Sequence, residues 1–126
     1  MSELVAIRDI AYFMRNVRTR MPFKYGIATL TSVPILHVVM AIESRDGKVF
    51  KGVSADILPP KWFDKDPSKD YEENVEDLVF SAREAGRAYL ESSRKPRTVF
   101  EIWKEGYRTT LDSGDARGLN HLTSGH

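Results

Sequence analysis

At 126 residues the chain has room for one domain with a real core, and 41% hydrophobic against 29% charged is ordinary globular composition. A formal net charge of +1 argues against a dedicated nucleic-acid binder, which carries a strong basic excess or a basic face. There is no cysteine, so disulfides and thiolate metal sites are excluded, and no apolar run is long enough to span a bilayer. Met1-Ser2-Glu3 starts acidic, and Arg8-Asp9 interrupts the apolar run that follows, which argues against a leader. The expected setting is a reducing cytoplasm, with no membrane and no nucleic-acid partner.

Leu4 to Arg20 mixes short apolar runs with charge and is rich in β-branched and aromatic residues. That pattern predicts a long strand, bent near Arg8-Asp9. Arg15, Arg18 and Arg20 crowd its end. Solvated strand-end charge explains them better than anion contact, because no glycine-rich helix start accompanies them. Met21 to Ser32 then reads as a loop. Pro22 ends the strand and Gly26 permits a turn with positive φ. Phe23 and Tyr25 lie between them, for local packing or for contact with a ligand or partner.

Val33 to Ser44 is the clearest strand. Leu36, Val38, Met40 and Ile42 line one face, while Ile35, Val39 and Ala41 make the other face apolar too. A strand apolar on both sides is expected at the centre of a sheet. His37 within it reads as a hydrogen-bonded core residue rather than a ligand. Arg45-Asp46-Gly47-Lys48 predicts a hairpin, since Asp-Gly suits the turns that match strand twist. Val49 to Ala55 is the returning strand. The first half is therefore a three-stranded antiparallel meander.

Ser54 to Pro67 leaves this sheet. Pro59-Pro60 stops the strand, because neither residue can donate to a ladder. Trp62 and Phe63 are then held on a segment without a period, ringed by Lys61, Asp64, Lys65 and Asp66. Large aromatics there either plug their own domain or reach another surface. After Pro67 the period becomes helical. Ser68 or Asp70 can cap a helix from Tyr71 to Ser93, whose stripe is Val75, Leu78, Val79, Ala82, Ala85, Gly86 and Tyr89. A second helix from Thr98 to Leu111 is expected to bury Val99, Ile102, Trp103, Gly106 and Tyr107 or Thr110. From Asp112 to His126 no periodic core face remains, and the stretch reads as a linker. The fold class is α+β, a meander followed by a helical hairpin.

No catalytic set emerges. The chain has no Gly-x-Ser-x-Gly elbow and no phosphate-cradling glycine motif. His37, His121 and His126 lack metal-ligand spacing. Asp56, Asp64 and Asp66 cluster in sequence, but solvated loop charge accounts for acids that alternate with lysines.

The order and spacing of several short features resemble a known family. Arg20-x-Pro22-Phe23 closes the first strand, and Gly26-x-Ala28-Thr29 follows. Pro34 opens the central strand, Asp46-Gly47 turns it, and Gly52-x-Ser54 closes the third. With the Pro60-Lys61-Trp62-Phe63-Asp64-Lys65 run, these are similar to the N-terminal capping domain of the enolase superfamily, on the side of mandelate racemase and muconate lactonizing enzyme. Gly52-Val53-Ser54-Ala55-Asp56 departs from the Gly-x-Gly-Glu-like run of many members. The resemblance implies that residues 1–111 cap the mouth of a modified TIM barrel, with 112–126 a linker toward that barrel. It implies that Phe23, Tyr25, Ser54, Asp56, Trp62 and Phe63 contact a small carboxylic acid substrate. The barrel of the same protein would supply lysine or histidine bases and the ligands of Mg²⁺, in lyase or isomerase chemistry. This chain alone would be inactive, and the whole protein a homo-oligomer. A freestanding module whose aromatic loops bind a protein partner is the alternative, and a small enzyme using Asp56 and its neighbours a weaker one.

Overall fold

The computed structural model describes residues 3–126. Met1 and Ser2, part of the acidic start that argued against a leader, lie outside the described residues. The elements run β1 (Val5–Tyr25), β2 (Ala28–Ser44), β3 (Val49–Ile57), α1 (Tyr71–Ser92), α2 (Val99–Arg117) and α3 (His121–Ser124). The strands form one antiparallel sheet in the order β1-β2-β3, followed by the helices, as the α+β reading expects.

The first hairpin is longer than the sequence suggests. The stretch from Met21 to Ser32 is not a loop. β1 continues through Pro22 to Tyr25, and β2 begins at Ala28. Pro22 is absorbed by an irregularity. Pairing runs to Arg18↔Ser32 and resumes at Phe23↔Leu30, so residues 19–22 oppose Thr31 alone. A bulge is where a proline, lacking its N–H, can sit in a sheet. Thr19 Oγ1 donates to the carbonyls of Leu30 and Thr31 across it. Gly26, at φ +54°, makes the tight turn that returns the chain. A second register shift between Ile7 and Asp9 is the bend expected at Arg8.

Helices cover only one face of the sheet. Leu36 packs with Leu58, Val75 and Leu78, and Val5 and Ile7 pack with Ile102, joined by Met40, Ile42 and Tyr89. These strand residues alternate with His37, Val39 and Ala41, which therefore lie on the opposite face. His37 is half-buried there, between Phe13 and Ala55, and does not belong to the core beneath the helices.

Asp70 and Thr98 cap α1 and α2, each in a capping box, with Glu73 and Glu101. Between the helices Ser93 is fully buried. Its Oγ accepts from Ile7 N–H at 3.0 Å and donates to the Tyr89 carbonyl at 2.7 Å. Val5 and Arg97 exchange both backbone hydrogen bonds, fastening the helix connection to the start of β1.

α2 differs from expectation in phase and in length. Its buried residues are Ile102, Gly106, Thr110 and Gly114, whereas Val99, Trp103 and Tyr107 are exposed. The inward row is the one with small residues, because α2 lies close to α1. A Cβ on Gly106 would fall 2.2 Å from the Tyr89 ring. The helix then runs six residues past Leu111, to Arg117, and ends at Gly118 in the left-handed region. Asn120 caps α3, and Leu119, Thr123 and Ser124 are buried. Residues 112–126 thus continue and close the helical layer, although they lack a long periodic face.

Candidate functional site

All six residues singled out in the sequence border one cavity of about 660 Å³ at one end of the sheet. Phe23 and Tyr25 come from the end of the β1–β2 hairpin. Ser54 and Asp56 come from β3, on the face that Leu36 and Val38 share with the helices. β3 is an edge strand exposed along its whole length, so the helices leave this part of the face open. Trp62 and Phe63 come from the turn that follows Pro59-Pro60. Leu30, Leu36, Val38, Leu58 and Pro59 complete an apolar wall. Phe23 and Trp62 are 56% and 52% exposed, so the cavity reaches the surface.

The two aromatic segments are joined directly. The Tyr25 hydroxyl donates to the Pro60 carbonyl. Its ring meets Trp62 edge-on, with centroids 5.4 Å apart, and lies 5.9 Å from Phe23. Burial pushes the Tyr25 phenol above its usual range, with Tyr71 adding to the effect. The hydroxyl therefore keeps its proton and remains a donor.

The turn that carries Trp62 and Phe63 is tightly organised by its own charges. Lys61 adopts φ 64°, a left-handed conformation that a residue with a Cβ adopts at some cost. Its backbone N–H donates to Asn74 Oδ1 at 2.8 Å, latching the turn to α1. Its Nζ donates to the carbonyls of Asp66 and Lys69. Lys65 Nζ donates to the Lys61 carbonyl at 2.6 Å. Lys69 bridges Asp64 at 3.0 Å and Asp77 at 2.8 Å, and Arg117 approaches Asp77 from α2 at 3.5 Å. Asp77 holds the Lys69 ammonium above its usual range, against burial and with help from Asp64. Burial works against a charged Asp64, but the Asp66 N–H and Lys69 outweigh it, and the carboxyl sits below its usual range. The lysines and acids that alternate in the sequence are therefore mutual supports. Asp64 belongs to this network, and Asp66 accepts from Ser68.

Sequence reasoning missed His126. Its ring lies 5.5 Å from Phe63 and borders the cavity. Its Nδ1 is 2.7 Å from the Thr123 carbonyl, so that nitrogen carries a proton. Asn120 Nδ2 also donates to the Phe63 carbonyl at 3.3 Å, linking α3 to the aromatic turn. The signals were present: Gly118 as a helix stop and Asn120 as a cap. His121 lies elsewhere, paired with Asp115 at 2.9 Å.

Chemically the cavity is a binding surface of rings and aliphatic groups with, among the described residues, one side-chain carboxylate, Asp56, whose Oδ1 accepts from Ile57 N–H at 2.7 Å. Among the described residues no group of three or more His, Asp or Glu side chains is placed to hold a metal ion. No helix of the described residues is long and apolar enough to cross a membrane. No family model, no curated protein and no solved structure matches the chain.

Proposed function

We propose that the chain is the capping domain of an enolase-superfamily-like lyase or isomerase, working in the cytoplasm. The observation that supports this reading is the convergence of two distant aromatic segments on one surface-reaching apolar cavity. A cap needs such a surface, because it contacts the part of the substrate that does not react and excludes water when the site closes. In this reading a separate barrel domain holds the carboxylate end of the substrate and Mg²⁺, and abstracts the adjacent proton. Phe23, Tyr25, Ser54, Asp56, Trp62 and Phe63 then select what the rest of the substrate is.

The test is to express this chain together with any coding sequence that follows His126. Mg²⁺-dependent deuterium exchange at the α-carbon of carboxylic acids is expected of the longer product, and background exchange of this chain alone. A continuation that encodes no barrel, or exchange by this chain alone, would overturn the reading. Trp62→Ala in the longer product should lower kcat/KM by about tenfold for each ~1.4 kcal/mol of lost transition-state contact. Because Trp62 is half-exposed, its removal should cost stability well below the roughly 3–5 kcal/mol of a buried aromatic. Melting temperature measured beside kinetics separates the two effects.

One observation favours the alternative, a freestanding interaction module. Phe100, Trp103 and Tyr107 form an exposed ladder along α2, with centroids 5.7 and 5.5 Å apart. The same experiment decides, since a module would carry no barrel.

A further inference from the structure

We infer that the cavity takes an organic cation, a protonated or quaternary amine on an apolar body, with Asp56 as its counter-charge. Four aromatic side chains, Phe23, Tyr25, Trp62 and Phe63, border a single cavity. Aromatic faces are negative and attract cations, and clusters of them recognise quaternary ammonium groups. Among the described residues Asp56 supplies the side-chain carboxylate on the cavity wall, and no lysine or arginine lines it.

The lysines of the neighbouring turn are turned to other uses. The Nζ of Lys61 serves the Asp66 and Lys69 carbonyls, that of Lys65 serves the Lys61 carbonyl, and that of Lys69 lies between Asp64 and Asp77. An anion entering the cavity would meet a carboxylate and a set of aromatic rings. The polar side-chain groups left to receive it are the Ser54 hydroxyl, the Trp62 indole N–H and His126, whose Nδ1–H already serves Thr123, and none of them carries the full positive charge of a lysine or arginine. A neutral apolar ligand would suit the rings but strip water from Asp56 without replacing it. A cation satisfies both features, and the volume suits a small molecule.

This inference rests on the capping-domain reading only for what lies at the ligand's other end. A barrel that grips a carboxylate, beneath a cap that grips an amine, would take an amino-carboxylic acid with the two charges separated by its carbon body.

The binding test needs neither barrel nor turnover. The chain is titrated with three probes of one shape. They are choline, its uncharged isostere with a tert-butyl group replacing trimethylammonium, and the matching tert-butyl carboxylate. NMR follows the Trp62 indole, with the Trp103 indole on α2 as internal control. Choline should shift Trp62 and leave Trp103 unmoved, and should bind about tenfold tighter than the neutral isostere. Asp56→Asn should erase that preference. Because Asp56 is exposed, an unchanged Trp103 signal will verify that the variant keeps its fold. Equal or tighter binding of the neutral or anionic probe, unchanged choline affinity in Asp56→Asn, or no Trp62 shift at saturating choline would each overturn the inference. Failure here leaves the capping-domain reading standing, as a cap for another substrate. Choline binding by a protein whose continuation lacks a barrel would overturn only the capping-domain reading.

Discussion

Tyr25 does two jobs with one side chain. Its ring borders the cavity, and its hydroxyl ties the first hairpin to Pro60, thirty-five residues away. Tyr25→Phe keeps the ring and removes the tie, so urea unfolding should show a loss of about 0.5–1.5 kcal/mol. Burial raises the phenol's folded value above its unfolded one. A raised value contributes stability that is present below about pH 10 and is lost as pH rises through the folded value. The gap between wild type and Tyr25→Phe should therefore narrow in strong base, which unfolding midpoints at increasing pH will reveal. Gly106 makes a different residue-scale point. An alanine there would add roughly 1 kcal/mol of helix propensity. Its Cβ would also meet the Tyr89 ring at 2.2 Å, and overpacking costs about 1–3 kcal/mol. The clash is severe enough to win, so Gly106→Ala should lower the melting temperature, whereas the same change in an exposed helix would raise it.

At the scale of elements, the segment between β3 and α1 behaves as a folded unit built on charge. Lys69 is its centre, since it neutralises Asp64 and the largely buried Asp77 together. Lys69→Met would leave those carboxylates with Arg117, at 3.5 Å from Asp77, as the remaining cation. Breaking such a pair should cost about 2–3 kcal/mol, below the full value of a deeply buried pair because Lys69 keeps some solvent. The pH profile follows from the two shifts. Asp64 is lowered, so its contribution is present above its unfolded value, near pH 4, and fades as pH falls through the folded value. Lys69 is raised, so its contribution is present below about pH 10 and fades as pH rises further. The difference between wild type and Lys69→Met should be flat near neutrality and shrink at both extremes. A difference that is constant across the range would show that packing, not charge, holds the turn.

For the whole molecule, the decisive fact is that helices cover one face of the sheet. Leu78, on the face of α1 that packs against Leu36 of the sheet, is 2% exposed, while Val53 on the other face of β3 is 69% exposed. Leu78→Ala should cost about 2–5 kcal/mol, because the cavity it leaves cannot collapse. Val53→Thr preserves strand preference and should change stability by less than about 0.5 kcal/mol. Comparable losses from both substitutions would mean that the second face is also covered in solution.

Where neighbours along the chain sufficed, the sequence was decisive by itself. Period-two alternation placed β2 from Val33 to Ser44 though not its start at Ala28, Asp46-Gly47 turned it, Ser68 or Asp70 marked the start of α1, and Pro96 lay just beyond its end. Each of these depends on backbone sterics or on donors a few residues away. Aromatics on either side of glycine and proline also marked Phe23, Tyr25, Trp62 and Phe63 as site candidates. Only the tertiary structure decided the rest, because those outcomes depend on distant partners. Pro22 stays inside a strand because the facing chain allows a bulge at Thr31. α2 turns its small residues inward because Tyr89 fills the space against Gly106, a preference that hydrophobicity alone reads the wrong way. Residues 119–124 form a cap and a buried turn because they pack against the helices, and that packing carries His126 to the cavity. The convergence of two aromatic segments on that cavity is likewise tertiary, since it requires β1–β2 to extend far enough for Tyr25 to reach Pro60.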